Sequence, residues 1–412
     1  MKLSIIIVNY NVKYFLEQCL YSIKAAASNI KCDIIIIDNN SIDGSIEYLQ
    51  TKFPEIRLIS NKENAGFSKA CNQGCAIAKG EYILFLNPDT LLAENTLHRC
   101  IEFLARNKKA GAVGPKIIDV NGRFLPESKR SLPSPSIAFY KLTGIEKVFP
   151  TSKIFGKYSL GYLNKDEIHE VEILSGAFIM VRKQTLDKVG GFDERFFMYG
   201  EDIDLCYRLS LAGYKNYYLG NTDILHFKGE STKKNTAKYV HTFYNAMMLF
   251  VEKYYHGMPG VLIKFFLKGS IISRATISTI AIPFSRKKHK APSPSDAVEI
   301  TLIGDKYAME QASKIISIQL PSIKIKYAHS FDEITPSSKE IVFCIGGNFS
   351  YQNAIEWMQG TIPRTVIRWY ALGSHSIICS LHKNKTGEVY TLVHQLNTKK
   401  LQTPTPTAVP LS

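Results

Sequence analysis

The chain predicts an α/β protein built on a mainly parallel sheet, and three observations carry that prediction. Short continuous apolar runs recur along the first hundred residues, helical patterns lie between them, and short polar signatures follow the runs. Continuous apolar runs belong to strands buried on both faces, and their alternation with helices is the βαβ pattern of a parallel sheet.

The first strand is read over residues 3–8, and a helix with Phe15, Leu16, Cys19, Leu20 and Ile23 on one face follows it. Strands over 34–37 and 56–60 come next, then a helix carrying Ala70, Gly74, Ile77 and Ala78, then a strand over 82–86. Residues 111–170, punctuated by Pro126, Pro133, Pro135 and Pro150, read as irregular. A strand over 172–181 contains Ser175-Gly176-Ala177. A residue without a side chain there admits a sugar or another backbone, or marks a tightly packed strand crossing. A helix starts at Glu201 with Leu205, Leu209 and Ala212 on its apolar face, and a strand covers 222–225.

Residues 241–290 are built differently. The stretch 258–284 is apolar but carries Lys264, Lys268 and Arg274, and no uncharged run reaches the ~20 residues of a spanning helix. The three cations fall within an arc of about 120°, and the basic cluster 286–290 follows. This suits a helix lying on an anionic membrane surface, the alternative being a helix packed on the preceding domain with a solvated basic linker. Residues 291–296 read as a linker and 397–412 as a disordered tail. Between them, 297–396 read as a small α/β domain with strands at 298–303, 323–327, 341–345 and 365–369 and helices at 306–318 and 353–358. Gly304-Asp305 and Gly346-Gly347 follow strands without completing a dinucleotide fingerprint, which favours a docking or packing module.

With 412 residues and 45% hydrophobic composition, the chain buries a sizeable core, and two domains are expected. The net charge of +15 favours anionic partners. No zinc-finger or RNA-recognition signature is present, so nucleoside diphosphates or acidic lipids are expected rather than nucleic acid. The eight cysteines form no CxxC and read as buried apolar residues in a reducing compartment. Cys71 and Cys75 have helical i, i+4 spacing, but no second Cys or His pair accompanies them as a zinc site needs. The apolar run after Lys2 breaks at Asn9, too soon for a signal peptide, so a cytoplasmic catalytic portion is expected.

In open parallel sheets, ligands bind outside the carboxyl ends of the strands, where the polar signatures lie. In order they are Asn9-Tyr10-Asn11, Asp38-Asn39-Asn40-Ser41-Ile42-Asp43-Gly44-Ser45, Asn64-Ala65-Gly66-Phe67 with Asn72, Asn87-Pro88-Asp89, Gly190-Gly191-Phe192-Asp193-Glu194, Glu201-Asp202-Ile203-Asp204-Leu205 and His226. This ordered set, over residues 1–240, resembles that of family 2 glycosyltransferases, and is most similar to their rhamnosyltransferase-like branch. The resemblance implies a GT-A fold, a nucleotide-sugar donor, a divalent metal (Mg2+ or Mn2+) and inversion at the anomeric carbon.

The same resemblance implies roles for single residues. Asp89 matches the last carboxylate of a DxD-like motif and is the expected metal ligand, with His226 as a second ligand or a diphosphate contact. Asn87 stands where the commoner pattern has Asp and brings no charge. Asp202 is the expected general base, with Glu201 positioning donor or acceptor. The ~100° step of a helix turns Asp204 away from Asp202, toward Arg208. Nucleotide-sugar contacts are expected from Asn9, Tyr10, Asp38, Asn40, Asn64, Gly66, Asn72 and Asn87. Plainer readings stand beside these: Asp89 and Asp38 as helix or loop caps, His226 as a structural histidine, and 201–204 as an acidic first turn favoured by the helix dipole.

The expected function is inverting transfer of a sugar, rhamnose among the candidates, from a UDP- or dTDP-sugar to a lipid-linked or cell-surface polysaccharide acceptor. The expected setting is peripheral, on the cytoplasmic face of the inner membrane. A non-catalytic nucleotide-sugar-binding or scaffold protein is the alternative. A nucleotidyltransferase would need a Gly-rich phosphate loop after the first strand, which Asn9-Tyr10-Asn11-Val12 does not supply.

Overall fold

The computed structural model describes residues 1–230, 237–255, 299–334, 338–360, 365–380 and 387–392. The interfacial helix expected at 258–284, the linker at 291–296 and the tail at 397–412 lie outside them. Among the described residues no helix is long and apolar enough to cross a membrane.

The first half alternates strand and helix: β1 (Leu3–Asn9), α1 (Lys13–Ala26), β2 (Cys32–Asp38), α2 (Ser45–Lys52), β3 (Arg57–Ser60), α3 (Phe67–Ile77) and β4 (Tyr82–Leu86). All seven residues of β1 are buried, and Ile6 lies opposite Ile35 of β2 and Phe85 of β4. Helix α1 covers one face of the sheet with Phe15, Leu16, Cys19, Leu20 and Ile23. Helix α3 covers the other so closely that a Cβ on Gly74 would come within 2.6 Å of the Ile6 side chain.

There follow β5 (Thr90–Leu92), α4 (Thr96–Arg106), β6 (Ala110–Ile118), β7 (Lys129–Arg130), α5 (Pro135–Thr143), α6 (Ile145–Val148), β8 (Ile168–Val171), β9 (Ile173–Leu174), β10 (Phe178–Arg182), α7 (Lys183–Val189), α8 (Glu201–Leu211), β11 (Lys215–His226) and α9 (Ala237–Tyr254). The main sheet runs β3-β2-β1-β4-β10-β6-β11-β5, with β8 also on β11. Strand β10 is antiparallel to both neighbours, and β5 and β8 are antiparallel to β11; the other pairings are parallel.

Two sequence expectations are corrected here. Residues 110–118, largely read as irregular, form a central strand buried along its whole length. Gly111, Gly114 and Pro115 disguise it, and the ladder accommodates the proline with a register shift in β11 between Leu219 and Asp223, opposite Pro115 and Lys116. The single strand expected over 172–181 is instead β9 and β10 separated by a turn, in which the Phe178 N–H donates to the Ser175 carbonyl. The Gly176 N–H is diverted to the Asp202 carboxylate at 3.1 Å and so leaves the ladder.

A second sheet is made from β12 (Glu299–Gly304), α10 (Lys306–Gln319), β13 (Lys324–Ala328), β14 (Glu340–Ile345), α11 (Tyr351–Gly360), β15 (Val366–Ala371), β16 (Ser376–Cys379) and β17 (Glu388–Thr391). Its order is β13-β12-β14-β15-β16-β17, parallel through β15 and antiparallel beyond. The unit packs on α1 and β5 of the first. Phe15, Leu91, Leu225 and Phe227 share one apolar cluster with Ile303, Phe343 and Trp369. Glu94 accepts the Tyr351 and Gln352 N–H groups at 2.8 Å each, satisfying donors that a helix start otherwise leaves open. Gln18 donates to the Ser376 carbonyl at 2.6 Å. Glu17, with a fully buried side chain, accepts from the His375 N–H, the Ser376 hydroxyl and the Tyr48 hydroxyl.

Because Glu17→Ala strands those three donors between the two units, we expect it to lower unfolding free energy by roughly 2 to 4 kcal/mol. Urea titration of the full chain measures this; a loss below about 1 kcal/mol, an ordinary hydrogen bond's net worth, would contradict the reading.

Candidate active site

A crevice of about 1360 Å³ opens beyond the carboxyl ends of β1, β2 and β4, where open α/β sheets bind ligands. Tyr10, Asn39, Asn64, Phe67, Asn87, Asp89 and His226 line it on the side of the parallel strands. Asp89 sits in the turn between β4 and β5, and His226 is the last residue of β11. Antiparallel pairing of Thr90 with His226, continued by the Phe227 N–H donating to the Asp89 carbonyl at 3.0 Å, brings the two together. Asp89 Oδ1 lies 3.2 Å and Asn87 Nδ2 3.4 Å from His226 Nε2, and Asp89 is 4% exposed.

Glu201 and Asp202, at the start of α8, line the same crevice. Gly200, with φ +81°, makes the sharp entry into that helix. Asp202 is held by three donors: the Arg130 guanidinium at 2.5 Å and the Gly176 N–H at 3.1 Å on Oδ2, and the Ile203 N–H at 2.8 Å on Oδ1. A Cβ on Gly176 would stand 3.3 Å from that of Asp202, so the neighbour which the missing side chain admits is this carboxylate. Asp204 faces the other way and is fully buried, accepting from Arg208 at 2.7 Å, Lys253 at 2.6 Å and the Tyr254 hydroxyl at 2.7 Å.

Other residues expected at the ligand lie elsewhere. The Asn9 side chain is buried beneath the crevice and donates to Asp38 Oδ2 at 2.6 Å; Asp38 Oδ1 accepts the Ser41 N–H at 2.8 Å. This pair ties the ends of β1 and β2 and leaves Asp38 without exposure. Asn40 is exposed in a left-handed turn outside the lining. Gly66 approaches Phe197, whose carbonyl accepts the Phe67 N–H at 2.7 Å. Asn72 clamps the Gly191-Phe192 loop, donating to the Phe192 carbonyl and accepting its N–H, both at 2.9 Å. Asp193 is spent on Arg195 and Lys253, which hold its carboxyl well below the usual range.

Sequence reasoning passed over Asn39, Lys129, Arg130 and Tyr158, all in the lining. The trace of Arg130 in the sequence is the basic pair Lys129-Arg130 in a Pro-bounded stretch, which has no periodicity to announce it. Burial pushes the Lys129 amine down to about 8. Burial opposes the Arg130 charge too, but Asp202 and Tyr158 outweigh it and keep the cation. Burial, reinforced by the neighbouring Asp202 charge, pushes the Glu201 carboxyl up to about 8. The two adjacent carboxyls are therefore divided, one clamped by donors and the other inclined to keep its proton.

Residues 4–189 match the family model described as glycosyl transferase family 2, and 165–243 match that of the N-terminal domain of galactosyltransferase. The N-acetylglucosaminyl-diphospho-decaprenol L-rhamnosyltransferase of Mycobacterium tuberculosis is 29% identical over 285 residues, which is 66% of this chain and 91% of that enzyme. Residues 4–189 thus carry a glycosyl transferase family 2 domain. Rhamnosyltransferase WbbL of Escherichia coli is also 29% identical, over 54% of this chain and 82% of its own. Among solved structures, residues 1–349 of Staphylococcus aureus TarS with UDP-GlcNAc superpose with a TM-score of 0.43 at 18% identity, covering 70% of this chain and 76% of that one.

The glycosyltransferase carries a GT-A sheet in its family 2 domain, with a second α/β unit docked on α1 and β5. Asp89 and His226 suit a divalent ion: a hard carboxylate oxygen and an imidazole nitrogen 3.2 Å apart are spaced like neighbouring ligands of an octahedral ion, about 3 Å apart. No group of three or more His, Cys, Asp or Glu among the described residues could hold a metal, so other ligands would come from substrate or water.

The Glu201 carboxyl yields a pH prediction. Its folded-state pKa is raised from 4.5 to about 8, so folding takes up a proton between those values. Stability from this group is complete below about pH 4.5 and is lost as pH rises toward 8, with a slope of up to about 1.4 kcal/mol per pH unit. Glu201→Gln is expected to flatten that slope in urea titrations across the range; a slope unchanged by the substitution would contradict it.

Proposed function

We propose that this family 2 enzyme transfers a hexose from a UDP- or dTDP-sugar, with inversion, to the hydroxyl of a lipid-linked or polysaccharide acceptor. The observation that carries the reading is that Asp89 with His226 and Glu201 with Asp202 line one crevice. Rhamnose is the sugar specified in the names of the Mycobacterium and Escherichia relatives, and diphospho-decaprenol is the carrier named in the first. The lining also includes Lys141, Lys147 and Lys165, which suits an acceptor bearing phosphates.

In this reading Tyr10, Asn39 and Asn64 hold the nucleoside. Asp89 and His226 hold a divalent ion, which when bound supplies positive charge to the departing diphosphate. Asp202 takes the proton from the acceptor hydroxyl while its oxygen attacks the anomeric carbon on the face opposite the nucleotide. The bond between that carbon and the diphosphate oxygen breaks, and its electrons leave with the nucleoside diphosphate. Arg130 and the Gly176 N–H fix the carboxylate's direction, and Glu201, carrying its proton, donates a hydrogen bond to a sugar hydroxyl.

Asp202→Asn removes the base while preserving shape, and turnover is expected to fall about 10²- to 10⁴-fold with donor affinity retained. Undiminished turnover would refute the assignment. Thermal shift across a panel of nucleoside diphosphates and nucleotide sugars, with and without Mn2+, checks the donor site. One nucleotide family at ~100 Kd should add roughly 2.7 kcal/mol to the folded state, and Asp89→Ala should abolish the Mn2+-dependent part. Binding without any transfer would instead favour a scaffold role.

A further inference from the structure

A compact tip spanning residues 141–157 stands on the rim of the crevice, where Lys141, Gly144, Glu146, Lys147 and Pro150 form part of the lining. Three large apolar side chains point away from any core: Val148 is 69% exposed, Phe149 53% and Ile154 63%. Other exposed apolar residues, such as Ile42 and Leu211, are isolated in the sequence and need no explanation. Here they share one loop, in which the Ser152 N–H donates to the Phe149 carbonyl at 3.2 Å and the Gly156 N–H to the Ser152 carbonyl at 2.9 Å. Gly156 lies so close to Pro150 that a Cβ would overlap its carbonyl, which keeps the loop tight. The Phe149 ring rests on Phe155 with centroids 5.7 Å apart, and Phe155 on Tyr140 at 5.0 Å, so the tip has an aromatic floor.

Lys147, Lys153 and Lys157 are exposed in the same segment, as is Lys141, whose ammonium lies over the Tyr158 ring. The segment's one acid, Glu146, is half-buried and accepts from Ser159. Exposed apolar side chains in a segment with several exposed lysines suit the boundary of an anionic bilayer, where the apolar side chains enter the acyl region and lysines remain among the phosphates. A protein-docking patch has its charge depleted at the core and no reason for one sign around it.

We propose that the 141–157 tip seats on an anionic lipid bilayer and presents the mouth of the crevice to an acceptor held in that bilayer. The second part rests on the lipid-linked acceptor proposed above; the first does not.

The test uses the full chain, floated with vesicles of phosphatidylcholine alone or mixed with phosphatidylglycerol, without donor or acceptor. Combining Val148→Ser, Phe149→Ser and Ile154→Ser should reduce partition onto the anionic vesicles by about tenfold or more. Lys153→Gln and Lys157→Gln should each reduce it by about fivefold. A Phe149→Trp probe should shift to the blue on anionic vesicles and be quenched by brominated acyl chains. Parent-like partition of the triple variant, or a probe that remains in water, overturns the proposal. Transfer to a water-soluble acceptor separates the readings: the triple variant should retain it, and its absence in the parent chain would count against the proposed reaction alone.

Discussion

Antiparallel pairing of β5 with the end of β11 is the contact on which the rest of this structure depends. It joins residues 137 apart in sequence and turns two ordinary strand ends into the Asp89–His226 pair. Its apolar side chains work in the other direction: Leu91 and Leu225 enter the cluster that receives Ile303, Phe343 and Trp369 of the second sheet. One short ladder thus sets the metal-suited corner of the crevice and anchors the second unit behind it. The geometry of the corner is consequently coupled to a core that buries apolar area on both sides.

The polar motifs divide according to where their hydrogen bonds go. Asn9, Asp38, Asn72, Asp193 and Asp204 spend theirs on backbone groups and neighbouring side chains, and so hold strand ends and loops in place. Tyr10, Asn64, Asn87, Asp89, His226, Glu201 and Asp202 face the crevice. The first group makes the second possible. Asn72 restrains the loop that leads toward Gly200, and Asp204, tied to Arg208, Lys253 and Tyr254, fixes the rotation of α8 and with it the direction of Asp202. Most buried polar groups are paired, and these inward-facing motif residues act as positioning devices whose partners were chosen by the fold.

The two carboxyls at the start of α8 show how environment separates like groups. Successive residues on a helix point ~100° apart, so Glu201 lies buried at the crevice wall with its Oε2 unpartnered while Asp202 meets Arg130 and two backbone N–H groups. Desolvation favours the neutral acid at Glu201, whereas the three donors fix the direction of the Asp202 carboxylate.

What the sequence by itself determined is what depends on near neighbours. The four apolar runs of the first half, the helices between them, and the i, i+4 pairing of Asp204 with Arg208 follow from periodicity, and the main strands of the second unit follow from the same signal. The gathering of polar signatures at the carboxyl ends of strands follows from the shared direction of parallel strands in βαβ units. Tertiary structure alone decided the rest. It made a strand of 110–118 despite its glycines and proline, because a central position between β10 and β11 offers its backbone partners. It broke 172–181 at Gly176, because a carboxylate from α8 took that N–H. It buried Asp38 and turned Asn72 toward Phe192, and it brought Arg130 from 72 residues away to Asp202. Each is a choice between hydrogen-bond partners equivalent along the chain, and only the folded arrangement of distant segments makes them unequal.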